Sequence, residues 1–335
     1  MLPFRTRLID LTFRAATASG ILDVWQIITR STCAVLLYHS VASGPENPYF
    51  GPDEYERHME LLSAEFRVLS ADEFLWHLDR GRAPPRRSVL ITFDDGFENN
   101  ATVVQPIMER RGLPWVLFTT TAALNQPGCI LWFSALRGVC LYSRAASISL
   151  LGGSWPLSDR DTRLAAFAGL FRLVSKSPWS RTRPALEDLL AEHFAAVPPP
   201  YVQSFCAMMT SAQLRVLAES PLVEVGCHTE SHPFLTTVSD EALPQEIDAP
   251  TRMLAEIVDR PVRLFAYPAG DYGRREVERV AGAGFACAFA VTPVKRTRPR
   301  FEVSRAGVYD PSVNVVRAKS LGVVNILRRV GVSTG

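Results

Sequence analysis

The sequence lacks the marks of several protein classes. Its six cysteines (Cys33, Cys129, Cys140, Cys206, Cys227 and Cys287) are scattered, and no CxxC pair occurs. In a chain this long they read as buried thiols of a reducing compartment rather than as a disulfide framework. No apolar run reaches the ~20 residues of a transmembrane helix. The first thirty residues are interrupted by Asp10, Arg14 and Asp23, so they offer no clean apolar core of ~7–15 residues as a signal peptide would. The net charge is only +2, which gives no pull towards nucleic acid. Internal repeats and low-complexity tracts are also missing.

What is present is an ordinary globular composition, 47% hydrophobic and 21% charged over 335 residues. That length suits one or two domains, and a single α/β barrel of about 250 residues with insertions falls within it. Both ends look amphipathic and basic. Residues 1–30 carry arginines, and the stretch from Val315 carries Arg317, Lys319, Arg328 and Arg329 without an acid. Such helices either lie on a membrane surface or pack on the domain, and packing is the commoner outcome.

Six segments share one grammar, a short apolar run followed by polar or special residues: 34–40, 88–96, 115–123, 222–230, 263–273 and 285–293. Near-continuous apolar runs of this length mark strands buried on both faces, hence a parallel sheet or barrel. Helical patterns lie between them at 52–66, 72–81, 100–112, 239–260 and 275–284. Ser239 is placed to cap the fourth, with Glu241 and Glu246 near its positive end. The alternation predicts an α/β fold with right-handed crossovers. Residues 128–206 break the rhythm and read as a helical insertion, leaving through Pro198-Pro199-Pro200.

The apolar runs end in reactive residues: Tyr38-His39, Phe93-Asp94-Asp95, Gly226-Cys227-His228 and Tyr267-Pro268-Ala269. Parallel strands gather their C-terminal ends on one face, so these groups converge. His228 and His232 are four apart, and two His with one carboxylate form a hydrolytic metal set with an open position. Alone, that spacing more often marks two unrelated histidines near a turn. Adjacent acids alone most often mark a solvated turn or a helix cap. Together the two carboxylates can divide labour, one binding a metal and the other serving as a free base. His58, His77 and His193 lie on helical patterns as packing or surface residues, and Trp76, Trp115 and Trp132 read as core.

TFDDG at 92–96, HTESHP at 228–233 and FAYPAGDY at 265–272 occur in an order that resembles the NodB-homology polysaccharide deacetylases, carbohydrate esterase family 4. The likeness runs from LLYHSV at 36–41 to SRAGV at 304–308, and the early LLYHS is similar to the poly-N-acetylglucosamine deacetylase-like subgroup. It implies a distorted (β/α)7 barrel spanning 31–310, flanked by amphipathic segments 1–30 and 311–335. It further implies Asp94 as catalytic base, with Asp95, His228 and His232 as ligands of one divalent metal. Zinc comes first, with cobalt, nickel or manganese as alternatives. Tyr267, Pro268 and Ala269 would border the substrate, a backbone N–H near Ala269 meeting the oxyanion.

The sequence departs from the family in two places. No late histidine follows His232, and the resemblance to the subgroup with the early LLYHS motif implies His39, at the end of the first strand, as the acid. Ala266 stands where an arginine is usual in the third motif, leaving the partner of Asp94 open between Asp271 and Arg305. The implied activity is removal of N-acetyl groups from N-acetylhexosamine units of an oligo- or polysaccharide or glycan precursor. The alternatives are a non-catalytic carbohydrate-binding protein that keeps the metal, and an N-deacylase of a lipid-linked or small amino sugar. The expected location is cytoplasmic, peripheral at the inner membrane surface.

Overall fold

The computed structural model describes residues 33–322 apart from 45, 127 and 292–297. The N-terminal segment and residues 323–335 lie outside the described residues. The first half contains β1 (Ala34–Tyr38), α1 (Pro52–Glu65), β2 (Arg67–Val68), α2 (Ala71–Asp79) and β3 (Ser88–Phe93). A π-helical stretch, Asn100–Val104, leads into α3 (Gln105–Arg111), followed by β4 (Trp115–Thr119) and α4 (Ala122–Asn125). The chain then leaves the sheet for α5 (Trp132–Tyr142), β5 (Ser147–Leu150), β6 (Gly153–Pro156), α6 (Arg160–Val174), α7 (Trp179–His193) and α8 (Pro199–Phe205). It returns through α9 (Ser211–Ala218) to β7 (Val223–Cys227), α10 (Leu243–Val258), β8 (Leu264–Ala266), α11 (Arg274–Gly282) and β9 (Cys287–Ala290). The short strands β10 (Val303–Ser304) and β11 (Ala306–Gly307) and helix α12 (Val313–Ser320) complete the described chain.

The main sheet runs β10-β9-β8-β7-β4-β3-β1-β11, with β2 paired to β3. Every pairing in it is parallel. Its two ends are one piece of chain. Val303 and Ser304 pair with Phe289 and Ala290, while Ala306 and Gly307 pair with Leu36 and Leu37. The segment 303–307 therefore lies between β9 and β1 and closes a seven-staved (β/α)7 barrel.

The strands are buried on both faces, as their apolar runs require. Phe118 on β4 and Phe289 on β9 meet at 5.3 Å between ring centroids although their strands are not neighbours, so both point into the barrel. Val35, Leu90, Val116 and Leu264 share that interior group, and the alternate residues Leu36, Ile91 and Leu117 pack outwards against the helices. Gly226 admits the Phe118 ring; a Cβ there would lie 2.4 Å from Phe118 Cδ1.

Three details differ from the sequence reading. The 128–206 stretch is not wholly helical, because β5 and β6 form an antiparallel hairpin turning at Leu151-Gly152. Ser239 does not cap α10 with its side chain. Pro244 starts that helix later, at Leu243, and the Ser239 carbonyl accepts from the Ala242 and Leu243 N–H groups instead. Part of the basic tail is packed: Val315, Val316 and Ala318 of α12 are buried, Arg317 Nε donates to Glu65 at 2.9 Å, and Lys319 bonds the Gly307 carbonyl. No helix among the described residues is long and apolar enough to cross a membrane.

Candidate metal centre and active site

Four barrel strands are followed, one position past their last paired residue, by a residue the motifs singled out. His39 follows β1, Asp94 follows β3, His228 follows β7 and Tyr267 follows β8. All lie at the C-terminal rim, where backbone departs from the ladder and side chains are free to converge.

The turn after β3 is built to present two carboxylates. The Asp94 N–H still bonds the Tyr38 carbonyl at 3.0 Å, continuing the β1–β3 ladder. Asp95 then enters the left-handed region (φ 80°), and its carbonyl is held by the Thr120 N–H and hydroxyl. Gly96 follows at φ 85°, where a Cβ would lie 2.0 Å from Thr119 Oγ1, so no other residue fits. Thr229, His232 and Ala269 also have positive φ. Non-glycine residues in that region cost ~1–3 kcal/mol each and concentrate at functional sites.

Asp95, His228 and His232 each aim one ligand atom into the same space, and those atoms lie within 4.8 Å of one another. His228 Nδ1 bonds the Ala266 carbonyl at 2.8 Å, so Nδ1 carries the proton and Nε2 keeps its lone pair for the centre. Nε2 of His228 and of His232 lie 3.6 and 3.4 Å from Asp95 Oδ1. Both Asp95 oxygens are buried without a hydrogen-bond partner among the described residues. A buried, unpaired carboxylate faced by two imidazole lone pairs is a donor set that calls for a cation, so these residues fit a divalent metal.

Asp94 is held differently. Arg305 grips it bidentately, Nη1 to Oδ1 at 2.6 Å and Nη2 to Oδ2 at 2.7 Å, with both side chains buried. Arg305 sits between β10 and β11, in the segment that closes the barrel, and its N–H bonds the Ala290 carbonyl at 2.8 Å. It fills the role that Ala266 leaves open. Asp271 does not take part, for its Oδ2 accepts from the Thr236 N–H and hydroxyl away from the cleft.

Burial would raise both carboxyls, but opposite charges win. Against its burial, Arg305 and His228 hold Asp94 below the usual carboxylate range. Against its own burial, His228, His232 and His39 pull Asp95 down to about 2. Burial depresses His232 to about 4, whereas the Asp94 and Asp95 carboxylates overcome burial at His228 and raise it. His39 is lowered by burial, with the two carboxylates opposing.

His39 borders the same cleft as both acids and both metal-site histidines. Its ring stacks on Tyr49 at 5.4 Å with 5° between planes, and its Nδ1 makes no hydrogen bond among the described residues. Ala269 lines the cleft, but Tyr267 does not; it is fully buried and stacks on Tyr272 at 4.4 Å. Pro268 is buried and opens the 3₁₀ turn that sets Ala269.

Two supports were invisible as such in the sequence. Glu246 of α10, read as a helix-end charge, accepts from the Glu230 N–H at 3.1 Å, the Ser231 N–H at 3.0 Å and the Ser231 hydroxyl at 2.6 Å. It clamps the loop between the two histidines. Trp132, read as core, donates its indole N–H to the His232 carbonyl at 2.9 Å. His58, His77 and His193 lie outside the cleft.

A sequence model of the polysaccharide deacetylase family matches residues 177–288, which include both metal-site histidines. Over about a third of its length the chain is thus similar to the polysaccharide deacetylases. The Bacillus subtilis protein YxkH, named as a polysaccharide deacetylase, is 34% identical over 86 residues, 25% of this chain and 30% of that protein. The chain thus matches less than a third of that curated relative. Among solved structures, the deacetylase PplD of Streptococcus pyogenes superposes with a TM-score of 0.58 at 14% identity, over 86% of this chain and 98% of the other. IcaB from Ammonifex degensii gives 0.56 at 18% identity, over 87% and 100%. The BpsB deacetylase domain from Bordetella bronchiseptica gives 0.51 at 18%, over 83% and 96%. At such identities these structures show that the chain shares their barrel fold.

Proposed function

We propose that this chain is a metal-dependent amide hydrolase that removes the acetyl group from an N-acetylhexosamine unit of a glycan. The observation that carries the reading is the split between the two adjacent acids. Asp95 faces two imidazoles and makes no hydrogen bond among the described residues, while both oxygens of Asp94 are taken up by a buried arginine clamp. A binding protein that merely kept a metal has no use for the second acid.

A divalent metal held by Asp95, His228 and His232, with zinc first on the donor set, supplies Lewis acidity that polarises the amide carbonyl and acidifies water. Asp94, kept ionised by Arg305, takes the proton of the attacking water. The backbone N–H at Ala269 is assigned to the developing oxyanion, a contact type worth ~2.7–4 kcal/mol. As the C–N bond breaks, the departing amine is protonated through His39, and the proton that Asp94 took from water makes good that loss, so that both groups end as they began. The names of YxkH and of the barrel neighbours support the deacetylase chemistry. The cleft is about 340 Å³, room for a sugar unit but not for several buried ones.

The test is acetate release from N-acetylglucosamine oligomers by protein stripped with a chelator and then reloaded with zinc. Release that stops on stripping and returns on reloading is expected. A reloaded protein that binds the oligomers and never releases acetate would mean a carbohydrate-binding module.

A further inference from the structure

His228 and Asp94 each have a polar partner that fixes the side chain, the Ala266 carbonyl for one and the Arg305 guanidinium for the other. His39 has none. Its carbonyl accepts from the Asn100 side-chain amide at 2.9 Å, but its Nδ1 is buried without a hydrogen-bond partner among the described residues. An imidazole that hands over a proton from one nitrogen is ordinarily held on the other by a carbonyl or a carboxylate. Without that bond the ring can turn about its last torsion, which is a broad one for histidine.

What surrounds the ring instead is aromatic. Tyr49 lies 5.4 Å from it with 5° between planes, and Tyr309 lies 5.6 Å from it at 32°. The two tyrosines are 6.0 Å apart at 27°. The three centroids form a nearly equilateral triangle, and every pair is within the range of attractive aromatic contact. All three residues border the cleft. Both tyrosines are seated from behind. The Tyr49 N–H donates to Asn47 Oδ1 at 2.8 Å, and the Asn47 amide bonds the Ala42 carbonyl. The Tyr309 ring lies over Gly307 of β11, where a Cβ would come within 2.5 Å of it, and the Val308 N–H donates to the Leu37 carbonyl of β1 at 2.8 Å. His58 of α1 joins the two loops: its ring meets Phe50 at 5.0 Å, and its Nε2 bonds the Pro311 carbonyl at 3.0 Å.

We propose that Tyr49 and Tyr309 are positioning residues: by stacking on the His39 ring they hold its Nε2 towards the departing amine, in place of a hydrogen bond on Nδ1. This rests on the deacetylase reading above, with His39 as the proton donor, and deepens it. The tyrosines act through His39 by their rings, and their hydroxyls carry none of the effect. A reacting group misplaced by about 1 Å can lose on the order of 100-fold in rate, so removing one ring should be felt in turnover rather than in binding.

The experiment compares two substrates on zinc-loaded wild type, Tyr49→Leu, Tyr309→Leu, Tyr49→Phe and His39→Ala. The amine of an N-acetylglucosamine oligomer must be protonated as it leaves. The 4-nitrophenolate of 4-nitrophenyl acetate leaves as an anion and needs the water and its base but no acid; its rate is taken above that of Asp94→Asn. In each leucine variant kcat on the oligomer should fall ~10–100-fold, while its KM, the ester rate and the zinc content stay near wild type. Tyr49→Phe, which keeps the stack, should recover most of the loss. The ratio of the two rates does not depend on how much of a sample is folded. In parallel, NMR of histidine-labelled protein should find the His39 ring signal, identified by its loss in His39→Ala, shifted by ring currents, and the shift should shrink in Tyr49→Leu. Equal losses on both substrates overturn the proposal in favour of general damage. A raised oligomer KM with kcat intact overturns it in favour of a sugar platform, and Tyr49→Phe as slow as Tyr49→Leu overturns it in favour of the hydroxyl. Leucine variants at the wild-type rate while His39→Ala is slow overturn this proposal alone. His39→Ala at the wild-type rate overturns the reading of His39 and the proposal with it. If wild type releases no acetate, the deacetylase reading fails, and the ring signal still decides whether the tyrosines hold His39: an unshifted signal means that they do not.

Discussion

Replacing Arg305 by Met tests how the closure of the barrel serves the site. The substitution removes both hydrogen bonds to Asp94 and leaves a carboxylate buried without its counter-charge. The two side chains are 0% and 4% exposed, so solvent offers no compensation. Breaking a buried pair from one side costs ~3–5 kcal/mol. Asp94 now lies below the usual carboxylate range against its burial, chiefly through Arg305 and then His228. Its ionised form therefore adds stability at neutral pH, and that contribution is lost as pH falls through its depressed value. Without Arg305, burial drives the carboxyl upwards and the sign reverses: the variant suffers most at neutral pH and recovers relative to wild type on acidification. The assay is urea unfolding of wild type, Arg305→Met, Asp94→Asn and the double variant at several pH values. The double-variant cycle should show ~2–3 kcal/mol of coupling at neutral pH, shrinking towards the acid end. The acid limb of kcat/KM should move to higher pH in Arg305→Met, because the base now binds its proton more tightly. A cost under ~1 kcal/mol that is flat with pH would refute the reasoning.

Three further outcomes are expected. Glu246→Ala should release the loop between His228 and His232 and weaken metal affinity by ~10–100-fold in a competing-chelator titration, with Glu246→Gln closer to wild type; unchanged affinity would remove Glu246 as a positioning residue. His39→Ala should lower turnover by ~10²–10⁴ with metal content intact, and a near-normal rate would take His39 out of the mechanism. His58 is buried, its Nε2 is 3.0 Å from the Pro311 carbonyl, and burial depresses it to about 4. It is neutral in the fold but protonates near its ordinary 6.5 when unfolded, so stability should fall by up to ~3 kcal/mol as pH drops from about 6.5 to about 4 and change little below. His232 is depressed to about the same value, so in His58→Gln the fall over that window should shrink by the His58 share rather than disappear; a fall of unchanged size would mean that His58 contributes nothing.

The residues that the sequence displayed well are those whose role is local. Each apolar run became a barrel strand, because a strand buried on both faces must be largely apolar. The turn chemistry after it, such as Asp95-Gly96, is written in adjacent residues. Arg305 was visible only as a candidate, since its pairing depends on two-residue strands at opposite sheet ends becoming one segment. Strands that short carry no period. The β5–β6 hairpin did leave a signal, with Ile148 and Leu150 buried and Ser147 and Ser149 exposed before Gly152-Gly153, but helical patterns on both sides masked it. Glu246 and Trp132 were legible as residue types and misread in role, because both act on the backbone of a loop far from them in sequence.

The central claim is that the two neighbouring acids do different work, Asp95 holding the metal and Asp94 moving the proton. The most direct measurement sets zinc stoichiometry beside acetate release for wild type, Asp94→Asn and Asp95→Asn. The account predicts that Asp94→Asn keeps one zinc per chain while turnover falls by ~10²–10⁴, and that Asp95→Asn loses zinc and turnover together. Loss of zinc in Asp94→Asn, or turnover near wild type with zinc retained, would contradict it.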